Sequence, residues 1–142
     1  MTTSRWVVIL ASVLVAGGVA WLLKLAAVAI LVVTGDRDIE SAAVAFFYLT
    51  GLGLLFIGST ALGLRLTMNR QGPLRIAAVV LSPIVFWFSY QILDIIVDSI
   101  VGPQAPDLVE SETAVLVAAL IWLAIGAMVL KSTRRTPTTR VA

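Results

Sequence analysis

The chain of 142 residues contains neither cysteine nor histidine. Without thiols there is no disulfide, no thiol redox relay and no thiolate metal site. Without imidazole there is no His-ligated haem and no imidazole general base. Quinone–disulfide chemistry and b-type electron transfer are therefore excluded within this chain. Charge is scarce as well: only 13% of residues are Asp, Glu, Lys or Arg, about half the usage of a soluble domain. A pI near 9.5 does not indicate nucleic acid, because the net charge is only +2 and its bases are spread over three short segments. No metal and no cofactor is expected. Two carboxylates four residues apart fall well short of the roughly 6–8 oxygens that Ca²⁺ takes.

Apolar side chains are what the sequence has in excess. They make up 60% of it, and the mean hydropathy is +1.05. Four long apolar stretches divide the chain, at about 6–33, 41–64, 74–101 and 113–130. Each has the roughly 20 residues an α-helix needs to cross a bilayer. The expected fold is all-α: a single membrane domain, 1–142, built as a four-helix bundle. The first stretch is about twice the 7–15 apolar residues of a signal peptide, so it reads as an uncleaved span. The turn Thr34-Gly35-Asp36-Arg37-Asp38 is short and polar, and predicts an antiparallel hairpin of spans one and two. Small residues crowd span two, among them Gly51, Gly53, Gly58, Ser59 and Gly63. The Ser59 to Gly63 spacing reads as internal helix packing rather than a dimer face.

The charges sort by end of span. All eight acids, Asp36, Asp38, Glu40, Asp94, Asp98, Asp107, Glu110 and Glu112, lie at or beside one set of ends. Arg5, Arg65, Arg70, Arg75, Lys131, Arg134, Arg135 and Arg140 lie at the other. Basic flanks resist translocation, which predicts both termini in the cytoplasm of a bacterial plasma (inner) membrane and two acidic loops outside. The loop 65–75 and the tail 131–142 carry the cytoplasmic bases that face lipid headgroups. The tail and the Pro- and acid-rich loop 102–112 are expected to have little regular structure.

Span three carries the most information. Pro83 removes a backbone donor and predicts a kink, with Ser82 or a neighbouring helix satisfying the freed carbonyl. Helical spacing aligns Trp87, Gln91, Asp94 and Asp98 on one face. Such a stripe is expected to face protein or water rather than acyl chains. Lys24 admits two readings: a boundary residue that snorkels beside Trp21, or an intramembrane cation with an acidic partner. Asp94 lies at matching depth, which predicts spans one and three side by side, with Lys24 within salt-bridge reach of Asp94 or Asp98 and Asp94 preferred as its ion-pair partner. Lys24, Tyr90, Gln91, Asp94 and Asp98 then form the candidate intramembrane polar cluster. The apolar outer ends, Leu25 to Val33 and Ile95 to Val101, are expected either to tilt within lipid or to rise past it as a pair. In the second case Leu25, Val28, Val32 and Ile95 are shielded.

These residues supply no nucleophile–base pair, so no enzyme is expected. The reading is an accessory, assembly or regulatory subunit of a larger membrane complex, with the bilayer and either a membrane-protein partner or further copies of the chain as partners. An oligomeric proton or small-cation transporter or pore using Asp94, Asp98 and Lys24 is the alternative. Small multidrug transporters also have four spans, but carry an embedded acid in the first, where this chain has Lys24. In its small size, several spans and basic tail, the chain is similar to phage holins. That likeness implies, as a further alternative, a protein that permeabilises membranes.

Overall fold

The structure, a computed structural model, describes residues 3–35, 41–70, 72–101 and 107–134. Four α-helices account for nearly all of them: α1 (Thr3–Thr34), α2 (Ala42–Leu66), α3 (Pro73–Val101) and α4 (Asp107–Arg134). Each is long and apolar enough to span a membrane. No β-branched run or central glycine stops them. Their ends carry ordinary termination chemistry instead. Gly35 takes a positive φ of 72° just past α1, where its N–H donates to the Val32 carbonyl. The Ser41 hydroxyl caps α2 by accepting from the Val44 N–H at 3.4 Å. Proline opens α3 at its first helical position, where no intrahelical donor is lost.

The helices alternate in direction and pack in ring order, so that α1 lies between α2 and α4, and α3 closes the ring against α2 and α4. One end of the bundle gathers the start of α1, the end of α2, the start of α3 and the end of α4. It carries Arg5, Arg65, Arg75 and Lys131, and we call it the basic end. The opposite, acidic end gathers the remaining four termini.

The α1–α2 seam is the closest. Gly58 lies over the α1 backbone so tightly that a Cβ there would come within 2.5 Å of Leu14 Cα. Gly51 likewise makes room for the Trp21 indole. Ser59 is fully buried, and Gly63 lies against Ala78 and Ser82 of α3. Gly51, Gly58, Ser59 and Gly63 therefore serve internal packing, as the Ser59 to Gly63 spacing suggested, whereas Gly53 is exposed. Two apolar clusters fill the centre. Leu14, Trp21, Leu55, Phe86 and Trp122 lead the first, with Phe86 and Trp122 edge to face at 5.1 Å. Val7, Ala11, Ala61 and Val129 form the second, towards the basic end.

Three expectations need correction. First, the stretch before span four is not loop up to residue 112; α4 begins at Asp107 and runs 28 residues, of which 112–133 form its candidate span. The acidic stretch after Pro106 forms its first turns, because acids suit the positive N-terminal end of a helix. Second, α1 and α3 do not pack side by side but occupy opposite corners of the ring. Third, the Ser82 hydroxyl does not serve the carbonyl freed by Pro83, which belongs to Val79. It donates to the Ala78 carbonyl at 2.7 Å. Pro83 itself is buried within the continuous helix α3.

Candidate functional site

A layer of polar and aromatic side chains lies towards the acidic end, with contributions from all four helices. Lys24, on α1, is buried and forms a salt bridge with Glu112 of α4. Its ammonium also sits 5.7 Å from the centre of the Tyr48 ring, on α2, within the range of a cation–π contact. Trp21, one turn before Lys24, is fully buried. Its indole stacks on Tyr48 at 5.9 Å and donates from Nε1 to the Tyr48 carbonyl at 3.1 Å. Tyr90 of α3 meets Trp21 across the diagonal of the ring at 5.3 Å. It lies against Tyr48, within electrostatic reach of the Asp94 and Glu112 carboxylates. Glu112 uses Oε1 for Lys24, while its Oε2 is buried without a hydrogen-bond partner.

The candidate cluster is therefore partly assembled and partly not. Lys24 and Tyr90 are in it. Gln91 is half-buried at its margin. Asp94 and Asp98 are exposed, and the face they share with Trp87, itself 43% exposed, points away from the other helices. The Lys24–Asp94 pair is overturned for a geometric reason. The two residues do lie at the same level, but on diagonal helices, whereas α4 is the direct neighbour of α1. Glu112 and Tyr48 are the residues that sequence reasoning missed. The signal was present: 19 residues separate Arg5 from Lys24, Arg75 from Asp94, and Glu112 from Lys131. At ~1.5 Å per residue each interval is ~28 Å. Treating Glu112 as a loop residue concealed the third interval.

At the basic end, Arg65 donates from Nε to the Ser132 hydroxyl at 3.1 Å and tethers α2 to α4. Arg75 is half-buried, and Arg70 and Lys131 are exposed. Arg134 lies in the last turn of α4; Arg135 and Arg140 fall outside the described residues. Among the described residues no group of three or more metal-ligating side chains occurs.

The helices continue beyond the polar layer. From Lys24 to the end of α1 is ten residues, or ~15 Å, and from Asp94 to the end of α3 is seven, or ~10 Å. Ile30, Val33, Phe46, Ile95 and Ile100 are each more than 60% exposed in this region. Val28 is buried and Leu25 half-buried, but Val32 and Ile95 are open. The paired α1–α3 protrusion that would have shielded all four is thus not formed.

No protein family matches this chain, and neither does any curated protein or solved structure.

Proposed function

We propose that the chain is a multi-pass protein of a bacterial plasma membrane, with both termini cytoplasmic, and that it serves as a non-enzymatic accessory or assembly subunit of a larger membrane complex. The two charged levels set the frame. Arg5, Arg75 and Lys131 stand ~28 Å from Lys24, Asp94 and Glu112, close to the roughly 30 Å of a hydrocarbon core. No charged residue lies between these levels on any of the four helices. The basic level fits the cytoplasmic boundary.

The observation that carries the reading is the apolar crown past the acidic level. Ile30, Val33 and Ile100, six or more residues past Lys24 or Asp94, would stand outside the hydrocarbon and remain exposed. Exposed apolar surface in water marks a place where another protein sits. The transporter reading draws less support, because Lys24 is held by Glu112 while Asp94 and Asp98 lie on the outside of the bundle.

Purification of the tagged chain from its native membrane in mild detergent tests the proposal. The expected result is a particle well above the mass of one chain and its micelle, containing a second polypeptide. A lone, monodisperse monomer would overturn it.

A further inference from the structure

The polar side chains of α3 fall into two groups. Ser82, Ser89 and Ser99 each donate to a carbonyl of their own helix, those of Ala78, Phe86 and Ile96, and need nothing further. Trp87, Gln91, Asp94 and Asp98 differ. Among the described residues, no hydrogen bond or ion pair reaches the Trp87 indole N–H, the Gln91 amide or the Asp98 carboxylate. Asp94 has Tyr90 within electrostatic reach but no base, because Lys24 is held by Glu112. The four stand at i, i+4, i+7 and i+11, a single strip along the helix, and α3 is the least buried of the four spans. In the proposed placement Asp94 lies at the edge of the hydrocarbon. Gln91 is then ~4.5 Å and Trp87 ~10 Å inside it, with Asp98 ~6 Å beyond. Acyl chains offer neither donor nor acceptor, so an amide or an indole N–H left facing them is costly.

The geometry points to a membrane-spanning helix of another protein, seated along this strip, with a Lys or Arg at the outer boundary and a hydrogen-bonding side chain one turn inside it. This rests on the accessory-subunit reading and specifies the partner's chemistry and its seat. Asp94 and Asp98, exposed one turn apart with no base beside them, call for a cation. Gln91 calls for a group that donates and accepts, and polar side chains pair across membrane helices in this way. A helix lying in the interface would cross the strip at one level only, whereas the strip runs ~16 Å along α3. A second copy is excluded by charge. Copies in one membrane share an orientation, so a two-fold contact along the strip would set Asp94 against Asp94 and Asp98 against Asp98. No other described face of a copy supplies the cation, because Lys24, the one described base at this level, is buried.

The test reconstitutes the full chain in phosphatidylcholine vesicles. With no native cysteine, I95C carries a single benzophenone beside the strip, and F46C carries one on α2 at the same end; both positions are exposed. The probe is a synthetic Leu helix of about 25 residues. It has Lys at two positions 19 apart, the interval between Arg75 and Asp94, and Gln one turn inside each, so that either orientation presents a base. Two companion peptides replace Lys by Glu, or Gln by Leu. On irradiation the proposal expects a chain–peptide adduct at I95C about threefold or more above that at F46C. It expects the I95C adduct to fall by about threefold or more with either companion, and with the Lys–Gln peptide on D94N/D98N. Melting at the parent temperature confirms that D94N/D98N is folded, and Q91L, expected to weaken the adduct likewise, carries the test if it is not. Equal adducts at I95C and F46C, equal adducts with either companion, or an undiminished adduct in the folded variant would overturn the proposal. So would a dominant chain–chain adduct at I95C without peptide, which would place a second copy on the strip. Those failures leave the accessory reading to be judged separately, by the mass of the purified particle.

Discussion

Lys24 has one acidic partner, and it lies on the neighbouring helix. With side-chain exposures of 9% and 18%, the Lys24–Glu112 pair is shielded from water and salt. Removing one member of a buried pair costs about 3–5 kcal/mol, and the partial exposure of Glu112 places K24M near the lower end. K24M combined with E112Q should recover part of the loss, because no unpaired charge then remains. Asp94 is exposed, so D94N should change stability by about 0–1 kcal/mol. Thermal unfolding in detergent reads all four proteins. Equal losses in K24M and D94N would contradict the pairing seen here. The charges that matter were visible in the sequence, as was the depth of Lys24. The choice of partner was not, because depth along a helix says nothing of which corner of the ring that helix occupies.

At the scale of the helices, four spans were legible because each is an unbroken apolar run. The candidate spans agree with their expected bounds to within three residues, although helix α4 itself runs on to Asp107 and Arg134. There a Pro- and acid-rich stretch looked like loop, and only its place at a helix N-terminus shows why it coils. The internal use of glycine was legible as well, but not which glycines are pinned. Gly58 rests on the Leu14 backbone, which cannot rotate aside, whereas Gly53 has nothing within 4 Å of its would-be Cβ. G58A should therefore lower stability by about 1–3 kcal/mol, the cost of overpacking. G53A should be neutral or raise it by up to about 1 kcal/mol, since glycine is a poor helix former. Unfolding of the two variants side by side checks this. A neutral G58A would mean that α1 and α2 are less tightly apposed.

For the molecule as a whole, the alternation of four helices gathers the start of α1 and the end of α4 at one end of the bundle, and the proposal puts that basic end in the cytoplasm. Reporter fusions at Ala142 and Gly102 should give opposite answers, cytoplasmic for the first and external for the second. An external signal from Ala142 would overturn the orientation. Sequence reasoning reached four alternating spans because apolar runs and charge sorting act on segments one at a time. It did not reach the diagonal placement of α1 and α3, which depends on how four surfaces close on one another. The two charged levels carry one more consequence, an electrical one. A membrane potential falls across the hydrocarbon, where moving one elementary charge through 100 mV involves about 2.3 kcal/mol. In the proposed placement, the charges on the four described helices stand at or beyond the edges of that drop, with none in the interval between. A bundle so placed is an uncharged post in the field, with nothing for a change of voltage to pull on.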